Sequence, residues 1–144
     1  MLCWVGGPGW DASGSWAAGG GPDKWAVYHK STDFNNPGPS GTFVFLDERE
    51  DSINDGYYVV DMFGYPDKPN AWKIVDYPAS YHNNAGGFSF ADGHSEIKKW
   101  TDARTTPRLN PKQDLPLNNP SPNNKDVNWM QIRSTRKQAG PASQ

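Results

Sequence analysis

The sequence has one cysteine, no long apolar run and no excess of charge of either sign. Cys3 has no second cysteine to pair with, so an internal disulfide is excluded. No apolar run reaches the roughly 18 residues that a membrane-spanning helix needs, and the first residues do not form a signal peptide. The formal net charge is −2, and Lys and Arg form no stripe. We therefore expect no nucleic-acid binding and no membrane contact by this chain.

Aliphatic side chains are also scarce, whereas aromatic residues and turn formers are abundant. Hydrophobic residues make up 35% of the 144 residues, but 13% are aromatic, and there are seven Trp, 15 Gly and 13 Pro. Such a chain suits one β-rich domain with a thin core and long loops. We predict a single globular domain over 1–137, with a Gly- and Trp-rich loop region over 1–22 and a disordered tail over 138–144.

Short runs of β-branched and aromatic residues, bounded by turn residues, predict the strands. The clearest are 41–47 and 56–63, a weaker one is 71–77, and a last pair covers 87–91 and 94–100. Residues 101–125 are mostly Pro, Asn and Asp and predict no regular element. Segment 126–133 predicts a short helix that Asp126 caps and that Val127, Met130 and Ile132 dock. The fold class is thus α+β, mainly β, with an antiparallel meander sheet, long loops and a short C-terminal helix.

The stretch YHNNAGGFSFADGHSEIKKW holds two histidines and two acidic residues around a turn signal. Asp92-Gly93 predicts a two-residue type I′ hairpin, which would place Phe88, Phe90, Ser95 and Ile97 on the core face and His94 with Glu96 on the other. His82 would then lie about 13 Å from Asp92 at roughly 3.3 Å per residue, too far to share a metal ion. We expect His82 to fix a loop by a hydrogen bond, and His94 with Glu96 to form a solvated face.

A second candidate site is the acidic segment LDEREDSINDG. It brings five carboxylates into nine residues, from Asp47 to Asp55. Calcium takes six to eight oxygen ligands, which flexible acidic loops supply, although the EF-hand pattern is absent. The candidate calcium ligands are Asp47, Glu50, Asp51, Asp55 and Asp61. The competing interpretation is a charged loop in which Asp51 or Asp55 caps a turn.

Tryptophan supplies a third candidate. Trp4, Trp10, Trp16, Trp25 and Trp72 would suit sugar stacking if they were exposed near Asn and Asp. Buried rings that fill a thin core are the favoured interpretation, because each ring buries a large apolar area.

His82, nine intervening residues and then Asp92-Gly93 resemble the H-x9-DG signature of type II secretion pseudopilin-like, prepilin-type proteins. The segments FVFLDE, SINDG and FADGHSEIKKW strengthen this resemblance, which covers about residues 4–137. It implies a pseudopilin-like globular domain in which a helix packs on an antiparallel sheet, and some pseudopilins bind calcium in an acidic loop. It also implies a non-enzymatic filament or secretion subunit whose partners are other pilin-like subunits or further copies of itself.

The basic leader and long apolar helix of that family do not occur in this sequence. We therefore expect Met1 to be a false or truncated start. The family implies a periplasmic or extracellular location, whereas this chain alone would be soluble and cytoplasmic.

Two alternatives stay open. One is a small metal-dependent hydrolase acting on an ester, lactone or phosphodiester, with His82, Asp92 and His94 as catalytic residues and a metal on 47–55 that activates water. The other is a carbohydrate-binding module that uses exposed Trp.

Overall fold

The fold is described from a computed structural model, which covers residues 2–6, 25, 26, 28–110 and 112–137, the first segment as backbone only. Within these described ranges, seven strands and one α-helix follow one another. They are β1 Leu2–Gly6, β2 Phe43–Leu46, β3 Tyr57–Asp61, β4 Lys73–Ile74, β5 Ala85–Phe90, β6 Ser95–Lys99, β7 Asn119–Pro120 and α1 Lys125–Gln131. The prediction of a mainly β chain with a short C-terminal helix is confirmed. Residues 7–22 and 138–144, predicted to be loop and tail, lie outside the described residues.

The main sheet has five strands in the order β3-β1-β2-β5-β6. It is mostly antiparallel, but β1 pairs in parallel with β3 and antiparallel with β2. The predicted meander is therefore wrong at this point, since β1 lies between two strands that follow each other in sequence. Residues 1–22 are predicted as a loop region with room for one short strand, and β1 occupies Leu2–Gly6. Because β1 pairs only with strands that are distant in sequence, no hairpin pattern placed it.

A β-bulge in β2 turns two large side chains toward the core. Phe43 pairs with Phe90 and Phe45 with Ser89, so β2 advances by two residues while β5 advances by one. The extra residue lets Phe43 and Leu46, three positions apart, both face inward, where each is almost fully buried. Phe45 consequently faces the opposite side of the sheet and is 49% exposed.

The main core lies between the inner face of this sheet and helix α1. Its buried members are Trp25, Phe43, Leu46, Tyr58, Val60, Met62, Phe88, Phe90, Trp100 and Met130. Met130 brings α1 onto β3, where its sulfur accepts the Tyr58 hydroxyl at 3.4 Å. Burying one large apolar side chain contributes roughly 1.5–3 kcal/mol, so this aromatic set stabilises the fold despite the shortage of aliphatic residues.

Helix α1 begins two residues earlier than predicted. The Asn124 side chain caps it by accepting the amides of Asp126 at 2.8 Å and Val127 at 3.2 Å. Asp126 is instead buried within the first turn, where it accepts the backbone amides of Thr101 and Asp102. The predicted docking of Val127 and Met130 is confirmed, but Ile132 is 40% exposed, because the helix ends before it.

A second, two-stranded sheet joins β4 to β7. It contradicts the prediction that 101–125 builds no regular element, since Asn119 and Pro120 pair there with Ile74 and Lys73. Trp72, Ile74, Tyr77 and Val127 form a small core beneath this sheet. The prediction of buried Trp is confirmed for Trp25 and Trp72, whereas the side chains of Trp4, Trp10 and Trp16 lie outside the described residues. No helix in the described ranges has the length and apolar character needed to cross a membrane.

Candidate functional site

The β5–β6 hairpin closes with three residues rather than two. The amide of Phe90 donates to His94 O at 2.9 Å, and Gly93 adopts a φ of 93°, where glycine is favoured. The pairs are Ser89 with Ser95 and Phe88 with Glu96, one residue away from the predicted register. A one-residue shift exchanges the faces of a strand. His94 and Glu96 therefore share the face of Phe88 and Phe90, and Ile97, predicted in the core, is 66% exposed.

His94 is the centre of a small ionic cluster at this turn. Its Nδ1 lies 2.6 Å from Asp92 Oδ1, its Nε2 lies 3.4 Å from Glu96 Oε1, and its ring stacks on Phe90. The hydrogen bond with Asp92 raises the pKa of His94, and the same bond lowers the pKa of Asp92. Neither ring nitrogen contacts a hydroxyl or thiol in the part of the chain that the structure describes. The arrangement therefore favours a charged imidazolium that braces the turn.

His82 does not join this cluster. Its backbone amide donates to Ala85 O at 3.4 Å, at the far end of β5 from the turn. The length of β5 corresponds to roughly 16 Å at 3.3 Å per residue, so the structure keeps His82 apart from Asp92 and His94. The exposed His82 ring makes no hydrogen bond to any described residue, so the loop-fixing bond of His82 is the one from its backbone amide. The loop depends also on Asn83 and Asn84, which adopt positive φ, and on Asn84 Nδ2, which donates to Trp100 O at 3.1 Å.

In the acidic segment, Asp51 forms a buried ion pair with Arg49. Arg49 is 1% exposed and donates from Nε and Nη2 to the two Asp51 oxygens. The Asn110 amide also donates to Asp51 Oδ2 at 2.9 Å, and Arg49 Nη1 donates to Pro107 O at 2.7 Å. Burial raises the pKa of the Asp51 carboxyl, but the bonds from Arg49 and Asn110 outweigh it and leave the pKa below its ordinary value. Asp51 thus ties the acidic segment to residues 107–110.

The other predicted calcium ligands each have a separate partner. Asp47 accepts the Gly87 amide, Asp55 accepts the Tyr57 amide at 2.8 Å, and Glu50 accepts the Tyr81 hydroxyl at 2.6 Å. Asp61 is buried on β3, where burial raises its pKa. Within the described ranges, no three His, Cys, Asp or Glu side chains are grouped so that they could hold one metal ion. Calcium binding at these five residues stays a prediction.

Two buried carboxyls were not among the predicted site residues. Burial and the nearby charge of Asp76 raise the pKa of Glu48 to about 8, and the Ser52 hydroxyl offsets this rise only in part. Burial also raises the pKa of Asp76 to about 6, although Asp76 accepts the Val59 amide at 2.6 Å. An Asp within the apolar run IVDY was the available signal for Asp76. Both carboxyls lie near the point where residues 76–78 meet β3.

The outer face of the main sheet carries exposed apolar side chains. Phe45 and Tyr57 both pair with Leu2, so their side chains share one face, and they are 49% and 55% exposed. Ser89, Ser95 and Ile97 lie on the same face by the register of β5 and β6. A shallow cavity of about 340 Å³ lies beside Phe45 and is lined also by Leu46, Asp47, Gly87 and Ser89.

Comparisons of the chain with protein-family models, with curated proteins and with solved structures gave no significant match.

Proposed function

We propose that this chain is the globular domain of a pseudopilin-like secretion or filament subunit, and that it acts by assembly rather than by catalysis. The supporting observation is the exposed apolar row on the outer face of the sheet, which Phe45, Tyr57 and Ile97 form from three different strands. Soluble monomers rarely expose large apolar patches, and those that do usually bind a partner there. The partner is another pilin-like subunit or a second copy of this chain, on the outer side of the inner membrane.

The surface shape of this face suits close packing against a partner. Phe45 and Tyr57 are two strands apart on this face, or roughly 10 Å, and each presents an exposed aromatic ring. Gly87, Ser89 and Ser95 are small, and they form a trough between Phe45 and the exposed Ile97. Exposed rings beside a trough accept an apolar side chain from a partner in the way that packed sheets and helices interdigitate.

The carboxylates of the acidic segment and of the hairpin turn support the non-enzymatic interpretation. Asp51 neutralises Arg49, and Asp92 holds His94 at a turn, so both carboxylates have structural contacts. The hydrolase alternative needs His82 close to Asp92 and His94. The length of β5 separates them.

Sedimentation velocity over a wide range of protein concentrations tests the proposal. The wild-type chain should self-associate as concentration rises, and Phe45→Glu with Ile97→Glu should abolish this, because each places a charge within the apolar row. Ile53→Glu is the matched control, since Ile53 is 47% exposed but lies in the acidic segment outside the sheet. A wild-type chain that stays monomeric, or an equal loss in the control, contradicts self-assembly through this face.

A further inference from the structure

A second cavity, away from the outer sheet face, lies where three segments meet beside the small sheet. Trp72 O accepts the Ser121 amide at 2.8 Å, and Pro69 O accepts the Asn123 amide at 2.9 Å. These bonds bring the 69–72 turn against the 121–124 turn that leads into α1. Between them is a cavity of about 260 Å³, lined by Pro69, Trp72, Asn123, Lys125 and Asn128.

Trp72 brings an apolar ring surface to this lining. The residue is 7% exposed, and its indole N–H has no acceptor among the described residues and is itself shielded from solvent. The N–H therefore does not open into the cavity, and Trp72 contributes its ring to the lining rather than a donor.

The polar groups of the lining favour a ligand that accepts hydrogen bonds. Neither the Lys125 ammonium nor the Asn128 carboxamide has a hydrogen bond or ion pair within the described ranges. The Asn123 side chain donates to Asn70 Oδ1 at 2.7 Å, which fixes its orientation. Lysine has three donors and no acceptor, and each carboxamide has two N–H donors and one acceptor oxygen, so donors exceed acceptors.

Among the described residues, no carboxylate belongs to the lining. The nearest acidic residue in sequence, Asp126, is 0% exposed, and Thr101, Asp102 and Thr105 donate to it. The positive charge of Lys125 is therefore not neutralised locally, and Pro69 with the Trp72 ring offers an apolar wall beside it.

We propose that this cavity binds a small carboxylate, with Lys125 and Asn128 as donors to the carboxylate and the Trp72 and Pro69 surface against the rest of the molecule. The volume suits a molecule of the size of a monosaccharide acid or a hydroxy acid, and charge-assisted bonds are the stronger kind. This site is independent of the proposed assembly through the outer sheet face.

Nitrogen-edited NMR titrations with sodium glucuronate, sodium lactate and glucose test the proposal. Loss of one indole signal in Trp72→Phe assigns the Trp72 N–H. Glucuronate and lactate should move this signal and the Asn128 amide signals, whereas glucose should not. Lys125→Met should weaken binding at least about tenfold, because it removes a charged donor. Lys99→Met, at an exposed lysine on β6, is the matched control.

Lys125 is exposed, so its substitution should leave the fold intact even if Trp72→Phe does not. Movement with lactate as well as glucuronate shows that the carboxylate is recognised, and movement with glucuronate alone shows an acidic sugar. Equal movement with glucose, no movement with either acid, or equal weakening by Lys99→Met would overturn the proposal.

Discussion

The imidazole of His94 lies flat on the ring of Phe90, with centroids 4.3 Å apart and an interplanar angle of 12°. The contact exists because the hairpin closes with three residues, so Phe90 and His94 form its last hydrogen-bonded pair. The same turn places Nδ1 of His94 next to Asp92. A ring held by stacking on one side and by a carboxylate at its edge should titrate differently from a free histidine.

We predict that the pKa of His94, measured by NMR titration, lies above the ordinary 6.5. A raised histidine pKa means that the interaction stabilises the folded state below the unfolded pKa and is lost as pH rises through the folded pKa. Asp92, whose pKa is lowered, contributes above its unfolded value of 3.8 and loses that contribution as pH falls through the folded pKa. Asp92→Asn should lower the His94 pKa more than Glu96→Gln does. A larger effect of Glu96→Gln would show that Asp92 is not the main partner.

Glu48 should make the protein less stable as pH rises. Its pKa is raised from 4.5 to about 8, so the folded state binds more protons between these values and the free energy of unfolding falls across that window. After allowance for its partial contact with water, the loss is about 2 kcal/mol. Glu48→Gln should flatten the dependence of urea unfolding on pH between 5 and 8. Asp76, with a pKa of about 6, adds a smaller slope of the same sign at lower pH.

Glu50→Gln is the control, because Glu50 is exposed and accepts only from Tyr81. Equal slopes in wild type and Glu48→Gln would mean that the Glu48 carboxyl is ionised in the folded protein.

Local sequence signals were sufficient for the strands of the main sheet that have turn residues at both ends. Segments 41–47 and 56–63 contain β2 and β3 because runs of aromatic and β-branched residues are extended and half-buried. The hairpin register was missed, since Asp-Gly can end a three-residue turn as well as occupy a two-residue one. Phe88 and Phe90 face inward in both registers, so their pattern alone could not decide the position of Ile97.

Contacts between distant segments account for what the sequence did not predict. The pairing of β1 with β3, and the carboxylate of Asp126 at the amides of Thr101 and Asp102, join residues far apart in the chain. Asn124 and Asp126 are both good caps, and the burial of Asp126 by 101–105 decides between them. Crowded carboxylates suggested a metal site, but Arg49, which lies among them in sequence, is the partner that Asp51 binds.

The calcium prediction can now be tested without the confounding effect of Asp51. Asp51→Ala should destabilise the protein by about 3–5 kcal/mol in the presence of a chelator, because it leaves Arg49 buried and unpaired. Calcium at Asp47, Glu50 and Asp55, which are exposed, should raise the melting temperature, and replacing all three by their amides should remove that rise. Magnesium is the control cation. No rise with calcium in the wild-type chain would contradict a calcium role for this segment.

Gly86 should tolerate no side chain, although it lies in a regular strand. A Cβ there would come within 2.8 Å of Ala79 O and 3.3 Å of Trp100 Cζ2. The same Ala79 carbonyl accepts the Trp100 indole N–H at 2.8 Å, so an added methyl group would push apart a buried hydrogen-bonded pair. Gly86→Ala should lower the free energy of unfolding by about 1–3 kcal/mol in urea titrations. Gly38→Ala, where no atom lies within 4 Å of the new Cβ, should change it little. Equal effects of the two substitutions would show that the Trp100–Ala79 contact is not tightly packed.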